Sequence, residues 1–395
     1  MTNKPIRDTF LPYARQWMNE DDLAAVIEVL TSDYLTTGPA VSTFEQAIAD
    51  YVGAKFAVSF ANGTAALHAA CFAAGITDGD EVITTPMTFA ASANCVLYQG
   101  ARPVFVDIDE KTYNINYQFI EEKITNKTKA IIPVDYTGQP AQLDEIKNLA
   151  KKHHLIVIED AAHALGATFK GKKVGSISDM TMFSFHPVKH ITSGEGGMIT
   201  TNNPDFYERL LLFRTHGITK DETKLIEHHG PWYYEMHTLG FNYRLTDLQA
   251  ALGTSQLKRI DQFISIRKKY TELYNVAFSD IPQVTIPYQH PDSDSSWHLY
   301  VLKLDLNQLS CDRKTIFETL LSHNIGVNVH YLPVHLHPYH KQLGYKKGDF
   351  PRAEQLYESI ITLPLFPAME EKDVHDVIKA VKETISHYAK RGTTT

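Results

Sequence analysis

From residue 56 onward, short and uniformly apolar runs alternate with stretches of helical length, and this rhythm constrains the chain more than any other feature. The runs are Phe56–Phe60, Glu81–Thr85, Pro103–Val106, Ala130–Val134, Leu155–Ile158, Thr181–Ser184 and Met198–Thr201. They lack the in-out alternation of a half-exposed strand, so each reads as a strand covered on both faces. Strands spaced by helices predict βαβ units, hence an α/β fold around a mainly parallel sheet of these seven strands. Ligands of such sheets bind beyond the carboxyl ends of the strands.

At 395 residues the chain exceeds one ordinary core. After about residue 258 the texture becomes α+β. It has a long helix, a strand near His298–Leu304, a helix from Asp312, a strand near Val327–Val329 and two terminal helices. The expected division is therefore a large domain at 1–258, including an N-terminal segment, and a smaller α+β domain at 259–395. Asn19 is an expected N-cap, and Leu23, Val26, Ile27 and Leu30 form one apolar face of the helix it starts. Thr246 is a second expected N-cap, and His216–His237 reads as a polar, aromatic loop.

Charge narrows the partners. The net charge of −8 offers no basic footprint for nucleic acid, so an anionic substrate must be met by local groups. Three scattered cysteines without a CxxC pair suggest neither a zinc site nor a disulfide framework, and they fit a reducing cytoplasm. No apolar run approaches a membrane span, the first residues lack a signal-peptide pattern, and no HExxH stands among the 19 histidines, so no membrane or metal partner is expected.

Two motifs carry chemistry together that neither carries alone. Asp160, in Glu159-Asp160-Ala161-Ala162-His163, ends a strand, and by itself it reads as a helix cap. Lys189 follows Ser184-Phe185-His186-Pro187-Val188 and precedes Gly194-Glu195-Gly196-Gly197, and by itself it reads as a solvated surface lysine. Placed 29 residues apart, at the ends of adjacent expected strands, the two should face one crevice. That pair is what pyridoxal phosphate (PLP) needs: an amine for its aldehyde and a carboxylate for its pyridine nitrogen. Ala61-Asn62-Gly63-Thr64, between a strand and a helix, supplies an anion cradle of backbone N–H groups, with Ser184 as a further hydroxyl. Phe89, in Pro86-Met87-Thr88-Phe89, is placed to stack on a ring, although core packing accounts for it as well.

In order and spacing, Gly63-Thr64-Ala65, Thr88-Phe89, Glu159–His163 and Ser184–Lys189 resemble the DegT family of nucleotide-sugar aminotransferases, from Leu11 to about Pro367. The resemblance implies a fold-type I PLP enzyme with Lys189 as its catalytic, Schiff-base lysine. It implies that Asp160 pairs with the pyridine nitrogen, that His163 lies toward the 3-hydroxyl and that Phe89 stacks on the ring. Gly63, Thr64 and Ser184 would hold the phosphate. Asn242 would reach the neighbouring subunit's cofactor in an obligate homodimer. Tyr13, Tyr34, Leu35, Thr36, His186, His330 and Tyr331 would contact the sugar nucleotide, although a structural role accounts for His186 equally well.

Within the family, Val134–Pro140, Leu239–Arg244 and Val329–Pro333 resemble the branch of pseudaminic acid biosynthesis, in which glutamate aminates a UDP-linked 4-keto-6-deoxy-N-acetylhexosamine. The rival branch acts on a UDP-4-keto-pentose. His190 after the lysine, and Asn62-Gly63 in place of the usual Ser-Ala, depart from the family pattern. Three other readings carry less. The family's sugar 3-dehydratases have histidine where Lys189 stands, a nicotinamide enzyme would need a GxGxxG, and a non-catalytic PLP binder would not need an intact Lys189 and Asp160.

Overall fold

The computed structural model describes residues 4–390. The seven expected strands all form, with ends shifted by a residue or two: β1 Phe56–Phe60, β2 Glu81–Thr84, β3 Arg102–Phe105, β4 Thr128–Ile132, β5 Ile156–Asp160, β6 Met180–Ser184 and β7 Gly197–Thr201. They make one sheet in the order β1-β7-β6-β5-β4-β2-β3. β7 runs antiparallel to both its neighbours, and every other pair is parallel. The link from β6 to β7 contains no helix, so β7 returns antiparallel instead of crossing over.

The strands are buried on both faces, as their apolar texture predicts. One face packs on Gly63–Ala73, Ala91–Leu97 and Pro204–Arg214. β1, β2, β5 and β6 point the same way, so their carboxyl ends open on one edge.

A second core gathers around the antiparallel strands Val284–Thr285, Tyr300–Leu304 and Ile360–Leu363 and the helices Ile260–Phe278, Arg313–Ser322 and Glu371–Tyr388. The expected strand at Val327–Val329 does not form. Asn328 makes a single bridge to Thr362, and the chain then turns into the cleft between the cores. The N-terminal segment joins this second core. Leu11 bridges Ile325, and Arg7 pairs with Asp373 and Asp376 at 2.7 and 2.8 Å. The Ile260–Phe278 helix serves both cores: Ile260, Phe263 and Ile264 pack with the large one, and Tyr270, Tyr274 and Phe278 with the small one.

Both expected caps form, each as a reciprocal capping box, Asn19 with Asp22 and Thr246 with Gln249. The apolar face of the Glu20–Leu30 helix turns outward. Leu23, Ile27 and Leu30 are 50–58% exposed, whereas Asp22 is fully buried. Asp22 accepts from Ser255 Oγ at 2.7 Å and Gln256 Nε2 at 2.6 Å and pairs with Arg259, so polar contacts rather than apolar ones dock this helix. The His216–His237 stretch is also more ordered than a loop, because Ile218–Thr219 pairs with Glu235–Met236 in a two-stranded ribbon. Ile226, Trp232 and Met236 on or near it are 63–84% exposed. Among the described residues no helix is long and apolar enough to cross a membrane.

Candidate active site

A cavity of about 830 Å³ opens where the carboxyl ends of β1, β2, β5 and β6 face the second core. β5 ends on Asp160, which is only 5% exposed. Burial pushes its carboxyl upward, and three neighbours pull it back: the Ser92 hydroxyl, the Ala162 N–H and the charge of Lys189. Ser92 Oγ donates to Oδ2 at 2.6 Å, and Ala162 N–H donates to Oδ1 at 3.1 Å. Ser92 in turn bonds Thr88 Oγ1 at 2.7 Å. Among the described residues no cation pairs with Asp160. A buried carboxylate so placed is ready for a cation that the chain does not provide.

Lys189 follows the end of β6 on the same edge, in a turn where its N–H donates to His186 O at 2.9 Å. Burial brings its amine down to about 8, with Asp160 opposing. A lysine near 8 has a substantial free-amine fraction at neutral pH, as a Schiff-base nucleophile and proton carrier requires.

The phosphate cradle is built at the start of the Gly63–Ala73 helix. Asn62 caps it, its Oδ1 accepting from Ala65 N–H at 2.8 Å, which leaves the N–H groups of Gly63 and Thr64 for a ligand. Ser184 stands across from Gly63. A Cβ on Gly197 would lie 2.5 Å from Asn62 O, so this glycine lets β7 approach the cradle.

His163 completes the floor. Its Nε2 lies 3.1 Å from the Tyr331 hydroxyl, while its buried Nδ1 has no partner. Burial and the nearby Lys189 hold it well below the ordinary histidine range, so it is neutral at pH 7. Phe89, 61% exposed, stands at the mouth with its ring 6.1 Å from that of Tyr331. His330 is nearly buried, bonds Thr362 Oγ1 at 2.8 Å and is pushed down to about 3 by burial.

Of the candidate residues, Tyr13, Gly63, Thr64, Phe89, Asp160, His163, Ser184, His186, Lys189, His330 and Tyr331 line this one cavity. Tyr34, Leu35, Thr36 and Asn242 do not line it. The first three lie exposed beside the start of the Asp247–Leu257 helix, where Leu35 O accepts from Asp247 N–H at 3.0 Å, and Asn242 is exposed on a bridge to Thr215. Sequence reasoning missed Ser92, Tyr98, Tyr243 and His298. Ser92 left only a weak trace, a hydroxyl four residues after Thr88, which it bonds from the first turn of the Ala91–Leu97 helix; His298 left none beyond its place before a strand.

An unpaired buried acid, a lysine of lowered basicity, an N–H cradle and a neutral histidine with one free nitrogen fit PLP group by group. The sequence matches the model of the DegT/DnrJ/EryC1/StrS aminotransferase family over residues 16–382. The chain belongs to this family. It is an aminotransferase of fold type I, and its cofactor is PLP. It is 43% identical to the spore coat polysaccharide biosynthesis protein SpsC of Bacillus subtilis over 381 residues, 96% of this chain and 98% of that one. PseC of Helicobacter pylori, an aminotransferase of pseudaminic acid biosynthesis, superposes with a TM-score of 0.90 at 33% identity, covering 96% of this chain and all of PseC. A putative sugar aminotransferase of Streptococcus pneumoniae, solved in its pyridoxamine phosphate form, gives 0.90 at 31% identity over 95% of this chain and 99% of the other. The same protein solved with PLP also gives 0.90.

Proposed function

We propose that the aminotransferase moves an amino group from glutamate to C4 of a UDP-linked 4-keto-6-deoxy-N-acetylhexosamine. The product would be UDP-4-amino-4,6-dideoxy-N-acetyl-β-L-altrosamine, a precursor of pseudaminic acid. The observation that carries a nucleotide-sugar substrate is the size of the cavity: about 830 Å³ runs from the Lys189–Asp160 floor out to Tyr13 and Asn328–Tyr331, within the range of sites that enclose whole ligands. The likeness to PseC favours the pseudaminic sugar over a UDP-4-keto-pentose, and the identity with SpsC supports a place in glycan synthesis.

PLP, when bound, supplies an aldehyde and an electron sink. The chain supplies the rest. Asp160 balances a protonated ring nitrogen, and the Gly63–Thr64 turn with Ser184 holds the phosphate. His163 would lie near the ring, toward its 3-hydroxyl. Phe89 covers the ring, and His186 and Tyr13 line the sugar's way in. Lys189 would hold the aldehyde and, as a free amine, would carry a proton away from the donor's Cα and, on the sugar side, deliver one to C4.

The working enzyme in this reading is a cytoplasmic homodimer. The exposed apolar faces of the Glu20–Leu30 helix and the ribbon support a second copy as their cover. Tyr34, Leu35, Thr36 and Asn242, outside their own cavity, would then serve the other copy's. We also place the domain boundary near residue 258, with residues 6–11 counted with the smaller domain because they pack there.

The test supplies UDP-2-acetamido-2,6-dideoxy-β-L-arabino-hex-4-ulose and glutamate to PLP-loaded enzyme, with Lys189→Ala as control, and follows both products by mass spectrometry. Amino sugar from the wild type alone supports the assignment. Glutamate-driven formation of the amine cofactor without sugar product discards this sugar and keeps the aminotransferase.

A further inference from the structure

The backbone at His298 is held more firmly than the side chain's own contacts account for. The segment Ser295–Leu299 leads from the Ser293–Asp294 pairing with Thr168–Phe169 on the larger core into the Tyr300–Leu304 strand of the smaller. Ser296 N–H donates to Gly138 O at 3.1 Å, and Leu299 N–H donates to Thr137 O at 3.2 Å. Ser296 Oγ donates to His163 O at 3.2 Å, and His190 Nε2 lies 3.0 Å from Ser296 O. From below, the fully buried Arg267 donates through Nη1 to the carbonyls of Trp297, His298 and Leu365 at 3.3, 3.1 and 2.7 Å. No carboxylate pairs with it among the described residues, and burial alone brings it down to about 9.

Two further features carry a cost. Trp297 adopts a left-handed φ of 53°, and Gly138, at φ 105°, has no room for a Cβ, which would lie 2.8 Å from His163 O and 2.9 Å from His298 N. A buried guanidinium with no counter-charge and a strained bulky residue are poor ways to gain stability. Together they fix a residue whose imidazole makes no hydrogen bond. Its Nδ1 is buried without a partner, and its ring packs 4.4 Å from that of His163 and 5.5 Å from that of His190. The same ring lines the cavity with Lys189.

We propose that His298 is a positioning residue for the cofactor site: it sets the orientation of the His163 ring by packing on it, and keeps an uncommitted Nδ1 near Lys189. This rests on the PLP reading of the site. The groups facing His298 are His163 beyond β5, Lys189 and His190 beyond β6, and Arg267 from the Ile260–Phe278 helix. All four, with burial, hold it neutral. A neutral imidazole does not compete with Lys189 for the proton, yet it gives a charged lysine–cofactor linkage a dipole that an apolar wall would withhold.

The experiment is a pH titration of the visible absorbance of the lysine-bound cofactor in PLP-loaded enzyme, read without substrate. His298→Phe keeps a ring against His163 and removes the nitrogens, so the midpoint falls by about half a unit or more, because the apolar wall disfavours the protonated linkage. His298→Asn places an amide near the position of Nδ1 and titrates with the wild type. A His298→Phe midpoint equal to the wild type's overturns the proposal, as does a His298→Asn midpoint shifted as far as that of His298→Phe. Should His298→Phe fail to fold or to bind PLP, His298→Gln replaces it, with its amide near Nε2: a shift in Gln but not in Asn supports the role of Nδ1, and equal titrations refute it. A wild type without a lysine-bound cofactor band overturns the PLP reading and this proposal together.

Discussion

Tyr331 reaches across the cleft to place its hydroxyl 3.1 Å from His163 Nε2, so the turn that follows Asn328 fixes a residue on the floor of the larger core. Tyr331→Phe leaves that nitrogen unpaired inside the protein, at a cost of about 1–3 kcal/mol. The expected result is PLP binding weakened by roughly tenfold, measured by fluorescence titration of the apoenzyme. Combined with His163→Ala, the second substitution should add little to the first, because the two share one interaction.

Ser92 is a stronger lever on Asp160. Ser92→Ala removes the 2.6 Å hydrogen bond that favours the charged carboxylate, so the Asp160 pKa rises further. The acid limb of the kcat/KM profile should move to higher pH. At neutral pH a loss of about tenfold is expected, in line with a hydrogen bond to a charged group. A pH profile that does not move would argue that Asp160 is held charged by other means.

Capture of PLP by apoenzyme should report on Lys189 directly. The amine attacks only when deprotonated, so the capture rate climbs with pH around a midpoint of about 8, not near 10.5. Asp160 raises the lysine's pKa, so removing its charge in Asp160→Asn should move the midpoint lower. Stopped-flow absorbance over pH 6–10 measures both, in roughly half-unit steps that resolve a one-unit shift.

The exposed face of the Glu20–Leu30 helix bears on assembly. Ile27→Asp with Leu30→Asp places charges where a second copy is expected to pack, which is costly once buried. Sedimentation should show dimers for the wild type and monomers for the double variant. Turnover should fall by at least tenfold, because Asn242 of one copy no longer reaches the other's cofactor. An active monomer would contradict the shared site.

The sheet was legible because each strand is apolar throughout, and only burial on both faces produces that texture in short runs. Asp160 and Lys189 were legible because strand ends locate side chains without knowledge of packing. The apolar stripe of Leu23, Ile27 and Leu30 was legible as one face and its surroundings were not, since periodicity shows which residues share a face and not what covers it; the buried Asp22 decides the docking. The strand expected at Val327–Val329 failed because its two apolar ends go to different places: Val327 packs in the smaller core and Val329 lines the cleft, which leaves only Asn328 to bridge Thr362. His298 was illegible, because its place depends on a clamp of carbonyls and backbone turns drawn from four distant parts of the chain.

The Ile260–Phe278 helix, with its first turns sunk in one core and its last in the other, behaves as an axle keyed at both ends. Rotating the smaller core over the larger would pull Ile260, Phe263 and Ile264 from their packing or bend the helix. The cleft is thus a mould of set width and not a jaw. The enzyme chooses its sugar by the shape already cut between the two cores, and specificity should change with residues that recut the wall and hardly at all with those that loosen the joint.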